Sequence, residues 1–336
     1  MIAVVTGGSG FIGQNLVRRL LTDGHQVRCL VRADSGPTPE AATRVTVRFD
    51  DGRSLLECPA LDGAHVIYHL AGATRAPSAE AFDAANVMAT RHLLAAVIAR
   101  KLYPKIVFVS SQAAAGPAKS LDHPVTEDMP SRPVEPYGAS KLRAERVVRE
   151  ASDRVAATIV RPCSVFGAHD RDFFPLFRMV RRGLVLYPGT ADHWLSLLHV
   201  DDVVDGLLAA GRRDTSVCRT FFLSSAEPLQ WRALGEEISN VVGRQVRHLN
   251  VPAPIVDVVS AFGELLGRGG LPMPLANRSK AALARQPLWI CSAARAREEL
   301  AFRPTRSLPD ALRDTYNWYR QSGWLRDSRR VVPAVA

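Results

Sequence analysis

The sequence has little of what would staple a small secreted domain or hold a structural metal. Its five cysteines (Cys29, Cys58, Cys163, Cys218, Cys291) are odd in number, far apart and include no CxxC pair. That argues against a disulfide framework or a zinc knuckle and fits a reducing compartment. No window of about 18 uncharged apolar residues occurs, so no membrane span is expected. The formal charge is +10, and 38 of the 43 basic residues are arginine, yet no basic block exceeds the Arg212-Arg213 and Arg329-Arg330 pairs. Scattered arginines do not make a nucleic-acid surface, and a site for an anionic small molecule explains the sign equally well. The chain opens Met1-Ile2-Ala3-Val4-Val5, a strand from its second residue, without the regions of a cleaved leader. A soluble, cytoplasmic protein is expected. Of its 336 residues 47% are apolar and 23% charged, a globular balance, and the length suits one large or two unequal domains.

What is present begins at once. Ile2 to Thr6 is a β-branched run of the kind that forms a strand buried on both faces. GGSGFIG follows, with Gly7, Gly10 and Gly13 three apart. Asn15 to Leu21 then carries apolar residues at helical spacing, Asp23-Gly24 stops it, and Gln26 to Val31 reads as a second strand. Strand, glycine turn, helix and strand make the dinucleotide-binding unit. Gly7 permits the tight turn, Gly10 lets backbone N–H groups close on a pyrophosphate, and Gly13 brings helix and sheet together. At the end of the second strand stands Cys29-Leu30-Val31-Arg32-Ala33-Asp34. Arg32 there would accommodate the extra phosphate of NADP(H), which is favoured; Asp34 reaching back to the ribose would leave NAD(H) as the alternative.

Val66 to Leu70 is another buried run and leads into HLAGAT. Asn86 to Ala99 reads as a helix with an apolar face. Lys105 to Val109 is a strand that delivers Ser110 and Ser111 at its carboxyl end, where ligands sit in open parallel sheets. A proline-rich stretch from Pro124 to Pro136 precedes Tyr137-Gly138-Ala139-Ser140-Lys141, which begins a helix running to Glu150. Tyr137 and Lys141 stand four apart and share one face. With six Tyr and five Lys in the chain, chance gives about 0.1 such pairs, so this one is informative. An ammonium and a positive nicotinamide beside the phenol favour phenolate, and a serine hydroxyl from the neighbouring strand end would orient the substrate oxygen.

These pieces resemble an extended short-chain dehydrogenase/reductase, the NAD-dependent epimerase/dehydratase superfamily. GGSGFIG, HLAGA, NVMATRHLL, VFVSSQAAAG, YGASK, RPCSVFG and LLHVDDVV occur in the family's order over about residues 1 to 210. The resemblance implies an α/β fold, a doubly wound parallel sheet with a smaller C-terminal substrate lobe. It also implies a catalytic Ser111, Tyr137 and Lys141. Gly7, Gly10, Phe11, Ile12 and Gly13 would hold the cofactor, with Arg32, Ala71, Gly72, Asn86 and Lys141 along it and Asp50 as a candidate adenine contact. The dinucleotide domain is expected to span 1–165 with 195–225 returning to it, the substrate lobe 166–194 and 226–322, and a tail 323–336, frayed from Arg326. The helices carrying Asn86 to Ala99 and Tyr137 to Glu150 are the family's dimer surface, so a homodimer is expected.

Three activities share the family's scaffold. Its dehydratases place an Asp–Glu pair after the hydroxyl residue, whereas Ser111 is followed by Gln112-Ala113-Ala114. Its sugar-nucleotide members grip a diphosphate with an Asn in RPxNVYG and an Arg before HVDD; here those places hold Ser164 and Leu195 or Ser196, with Arg178, Arg181 or Arg182 as possible substitutes. The apolar HWLSLLHVDD and the aromatic stretch from Phe173 to Trp194 look more like the dihydroflavonol-reductase and 3β-hydroxysteroid-dehydrogenase members. An apolar helix is expected from Val251 to Leu266. His199, Asp201 and Asp202 give no three-ligand metal geometry; the two acids are expected to cap and charge the start of the helix that runs through Ala210. His65 and His69 are expected to pack, and Cys163 to border the pocket without acting. The expected function is interconversion of a ketone and a secondary alcohol on a mostly apolar small molecule. The alternatives are a sugar-nucleotide 4-epimerase with tightly bound NAD and a non-catalytic NADP sensor.

Overall fold

In the computed structural model, residues 1–213, 217–252, 254–255 and 286–325 are described. β1 (Ile2–Thr6) buries four of its five side chains, as an unbroken apolar run in a two-sided sheet must. β2 (Gln26–Val31), β3 (Thr43–Thr46), β4 (Val66–His69), β5 (Lys105–Val109) and β6 (Ala157–Pro162) follow. Short strands come next: β7 (Ser164–Phe166), β8 (Leu184–Pro188), β9 (Trp194–Leu195) and β10 (Leu197–His199). β11 (Arg219–Leu223), β12 (Leu229–Gln230), β13 (Arg247–Val251) and β14 (Leu288–Trp289) complete the described strands.

Seven strands form one parallel sheet in the order β11-β6-β5-β4-β1-β2-β3. The order reverses between β1 and β4, so the crevice at their carboxyl ends is where an open α/β sheet takes its ligand. Side chains alternate between the two faces. Ala3, Val5, Tyr68 and Val107 pack with Leu16, Val17 and Leu20 of α1 (Phe11–Thr22) on one side. Val4, Ile67, Ile106 and Phe108 meet Leu55 of α2 (Gly52–Leu56) on the other. α3 (Ala79–Asp83) runs through a π turn (Ala84–Met88) into α4 (Ala89–Ala99), whose Leu93 and Val97 join that second layer. So do Ala144 and Val148 of α5 (Pro136–Glu150). Each buried Val, Leu, Ile or Phe side chain among these is worth about 1.5–3 kcal/mol relative to exposure.

The C-terminal lobe has its own core. α6 (Phe174–Arg181) contributes Leu176 and Phe177, and β8 contributes Val185 and Tyr187. α7 (Val200–Arg212) returns to the main sheet and packs beside α1. α8 (Trp231–Val242), α9 (Ala294–Glu299) and α10 (Leu308–Gln321) follow, with Leu234, Ile238 and Tyr319 in the lobe core.

Some expectations need correction. Trp324 packs against Phe174 and Trp318, and Leu325 is buried, so the lobe runs two residues past 323; residues 326–336 lie outside the described ones. The helix expected from Val251 meets a strand end at that residue, and 256–266 are outside the described residues. Asp201 and Asp202 stand in the first turn of α7 and charge it as expected, but neither caps it. The His199 ring accepts the Asp201 N–H at 3.3 Å, while Asp202 accepts from Thr305 and Asp201 pairs with Arg306. His69 does more than pack, as its hydrogen bonds show below.

Candidate active site

The turn after β1 is built by close approach. Gly7 has φ +74°, and Gly10 N–H donates to its carbonyl at 3.0 Å. A Cβ on Gly13 would stand 2.1 Å from that same oxygen, so only glycine lets α1 lie this near the strand. α1 starts at Gly10 with no side chain capping its first turn, and Phe11 and Ile12 are its first two residues. The uncapped positive end of a helix at a sheet switch point fits the pyrophosphate of a dinucleotide.

A chain of hydrogen bonds fixes the next loop. Ala71 N–H donates to Thr6 Oγ1 at 3.0 Å, and Thr6 meets His69 Nδ1 at 2.7 Å. His69 Nε2 meets Thr90 Oγ1 at 3.0 Å, and the Thr90 hydroxyl donates to Asn86 O at 2.6 Å. Because Thr90 spends its proton on Asn86, the ring must donate from Nε2 and accept at Nδ1. Burial and Lys141 push this imidazole down to about 3, so it is neutral. Asn86 is buried; its Oδ1 accepts from Ala73 N at 2.7 Å, and its Nδ2 donates to Ser140 Oγ at 2.8 Å. Gly72 lies against that amide, where a Cβ would come within 2.5 Å of Oδ1.

Ser111, Tyr137 and Lys141 are brought together at the carboxyl end of β5. Ser111 Oγ accepts from Ala113 N at 3.1 Å. Burial pushes the Tyr137 phenol up to about 12; Ser111 pulls the other way, and Glu135 and Asp172 add to the rise. Lys141 is buried, and its Nζ donates to Val109 O at 2.6 Å and lies 4.4 Å over the Phe108 ring. Burial brings its ammonium down to about 8 against the pull of Glu145. Without the nicotinamide, Lys141 is not among the groups that shift the phenol, and its ammonium faces a backbone carbonyl. Beneath them Glu145 is fully buried, gripped by Arg161 Nε and Nη2 at 2.7 Å each and by the Ser110 hydroxyl at 2.6 Å.

Other expected residues stand further out. Arg32 closes the end of β2 with its side chain 64% exposed and 3.2 Å from Asp34. Asp50 is solvent-exposed, 4.0 Å from Arg48, whereas its neighbour Asp51 caps α2, so no contact marks Asp50 out. Leu195 and Ser196 are buried, with Ser196 accepting the Cys291 N–H, so neither offers a grip on a diphosphate. Cys163 is buried and its thiol is pushed well up by that burial.

Two features escaped the sequence reading. Glu135 caps α5, and its Glu-Pro start is a recognisable helix N-terminus. Arg75, after β4, reaches Asp172, before α6, at 2.5 Å and ties the two lobes beside Tyr137; 97 residues separate them, and no local pattern signals the pair. Among the described residues no group of three His, Cys, Asp or Glu side chains is placed to hold a metal, and no helix is long and apolar enough to cross a membrane.

The model of the NAD dependent epimerase/dehydratase family matches residues 3–220. The chain belongs to that family. It is thus an NAD(P)-dependent enzyme of the extended short-chain dehydrogenase/reductase type. Curated family relatives include a 4-hydroxy-2-methyl-3-oxo-4-farnesyl-3,4-dihydroquinoline-1-oxide ketoreductase of Stigmatella aurantiaca, 29% identical over 84% of this chain and 86% of that one. A ceramide reductase of Caulobacter vibrioides is 29% identical over 96% of each chain. Among solved structures, a UDP-glucose 4-epimerase of Thermotoga maritima superposes with a TM-score of 0.78 at 20% identity, over 96% of this chain and 99% of that one, which shows the shared fold.

Proposed function

We propose that this family member is an NADP(H)-dependent reductase or dehydrogenase that interconverts a ketone and a secondary alcohol on a mostly apolar small molecule. The observation that carries the reading is Ser111 at the end of β5 facing the α5 helix that bears Tyr137 at its start and Lys141 one turn on, with no carboxylate at position 112. The buried Leu195 and Ser196 support it by offering nothing to a diphosphate. Relatives whose names specify a farnesylated quinoline oxide and a ceramide point the same way on polarity.

A bound nicotinamide would supply or accept the hydride. Phe11 and Ile12 N–H groups would hold the pyrophosphate, Arg32 the ribose phosphate, Ala71 and Gly72 the cofactor's flank, and Lys141 its nicotinamide ribose. Ser111 donates a hydrogen bond to the substrate oxygen and fixes it beside the phenol. In reduction Tyr137 gives its proton to that oxygen as the carbonyl becomes an alcohol; in oxidation it takes the proton back.

The test is NADPH oxidation with a panel of long-chain and polycyclic ketones, run beside interconversion of UDP-hexoses. Ketone-dependent turnover that falls about 10²- to 10⁴-fold in Tyr137→Phe, with NADP+ affinity kept, supports the reading. UDP-hexose interconversion without ketone reduction sinks it in favour of an epimerase. Inactivity with both, and no hydride exchange with any carbonyl, leaves a nucleotide sensor.

A further inference from the structure

The small sheet of the C-terminal lobe turns one face to the core and the other outward. β8 and β13 pair in parallel, with Leu184 beside Arg247, Leu186 beside Leu249 and Pro188 beside Val251. Between these positions Val185 and Tyr187 point inward and are buried. His248 follows them, its Nδ1 2.8 Å from the Tyr187 hydroxyl and its ring stacked on the phenol. Strand alternation therefore sends Leu184, Leu186, Pro188, Arg247, Leu249 and Val251 to the opposite face. Among the described residues none of the five apolar ones belongs to the lobe core, and Leu186 and Leu249 stand side by side 40% and 52% exposed. One end of this face is basic. Gly183, at φ +80°, leaves room for Arg244, whose Nε would be 3.3 Å from a Cβ placed there. Arg247 N–H donates to Gly183 O at 3.0 Å, and Arg182 closes α6 just before it. Arg182, Arg244 and Arg247 are exposed, and no described carboxylate pairs with them. From 182 to 191 and from 243 to 255 the chain has no Asp or Glu.

We propose that this face docks the protein on an anionic lipid bilayer, with Leu186 and Leu249 entering the interfacial layer and Arg182, Arg244 and Arg247 meeting lipid phosphates. Charge complementarity selects this occupant, because the basic end has no acidic partner of its own and an anionic leaflet supplies one. The make-up of the face points the same way. A protein partner is recognised through aromatic anchors and paired polar groups, whereas the six outward side chains include no aromatic ring and a single hydrogen-bonding group, Arg247. A fluid bilayer asks only for apolar area beside positive charge. Docking does not depend on the proposed hydride chemistry, although it would bring the enzyme to where apolar ketones and alcohols partition.

Co-sedimentation of the full chain with vesicles tests this, using phosphatidylcholine alone and an equal mixture of phosphatidylcholine and phosphatidylglycerol. The wild type is expected to bind the mixed vesicles about tenfold or more tightly than the neutral ones, and to be released as salt is raised. Arg244→Gln with Arg247→Gln should weaken binding to the mixed vesicles about 10- to 30-fold. Leu186→Ser with Leu249→Ser should weaken it about tenfold or more. Leu56→Ser with Tyr103→Ser, which removes exposed apolar side chains of the other lobe, should bind as the wild type does. Thermal melting reports on folding, and the arginine pair, which touches no packed side chain, decides the matter should the leucine pair melt early. Failure of the wild type to sediment with the mixed vesicles, or equal sedimentation of the wild type and the arginine pair, overturns the proposal. A wild-type dimer that ignores vesicles and that the leucine pair turns into monomers overturns it too, and gives the face to a second copy of the chain. No cofactor or substrate is present, so the outcome is separable from that of the activity assays.

Discussion

Asn86 and Ser140 are joined by a hydrogen bond of 2.8 Å that links the π turn before α4 to the helix carrying Tyr137 and Lys141. The same amide both accepts from and donates to Ala73, and Ser140 Oγ donates to the Tyr137 carbonyl at 2.7 Å. One side chain therefore sets the loop after β4 against the first turn of α5. Through Thr90 and His69 the tie continues to β1. The loop after β4 and the helix carrying Tyr137 and Lys141 are held in register by these buried side chains.

Asn86→Ala should thus act mainly on stability. It leaves the part-buried Ala73 N–H and carbonyl without partners and takes from the buried Ser140 hydroxyl the donor it accepts, an expected loss of about 2 kcal/mol. Asn86→Asp, which keeps the acceptor but neither donation, is expected to cost no less. Urea unfolding of both variants checks this, and a change under about 0.5 kcal/mol, the scale of an ordinary surface substitution, would contradict it.

The cofactor preference should turn on Arg32. Its guanidinium is exposed beside Asp34, free to exchange that carboxylate for a phosphate. Replacing it with Asp removes charge-assisted bonds worth about 1.5–3 kcal/mol, so NADP+ should bind about 10- to 100-fold more weakly while NAD+ changes little. Calorimetric titration with both nucleotides decides. An equal loss for the two would mean Arg32 does not read the ribose phosphate.

The sheet was legible because its signals are local. The strands Ile2–Thr6, Gln26–Val31 and Lys105–Val109 fall where the sequence pattern places them, and Gly7 and Gly13 announce a close approach that no larger residue permits. Ser111, Tyr137 and Lys141 could be placed because helical spacing and strand ends fix where they point. What the sequence hid depends on distant partners or on direction. Lys141 turns to Val109 O, and Arg75 finds Asp172 across the cleft. His199 takes the capping role that two neighbouring aspartates seemed made for, because Thr305 and Arg306 claim those carboxylates.

The Arg75–Asp172 pair should behave as a latch between lobes. With side chains 33% and 53% exposed, its coupling belongs to the range of about 0.2–1 kcal/mol for accessible ion pairs. Arg75→Ala and Asp172→Asn are each expected to raise KM by roughly two- to fivefold, and the double variant by no more than either alone. Effects that multiply would show that the two residues act independently, and raising the salt concentration should weaken the wild-type advantage.

His69 gives the protein a built-in acid sensitivity. Its ring is held neutral in the fold, down to about 3, by burial and by Lys141, while in the unfolded chain it titrates near 6.5. Between those values the unfolded state binds one more proton than the folded state, so stability must fall as pH falls, by up to about 1.4 kcal/mol per unit from this residue. Above pH 6.5 neither state is protonated there and the contribution is flat. His69→Gln carries no titrating group and should be less stable at pH 7, because the Thr6–Thr90 relay is disturbed. Its stability should nevertheless decline more gently than wild type between pH 6 and 4. Urea unfolding at each pH reads the two slopes. Parallel slopes would mean that the imidazole takes up its proton without leaving the fold, and that the neutral relay assigned to Thr6, His69 and Thr90 is wrong.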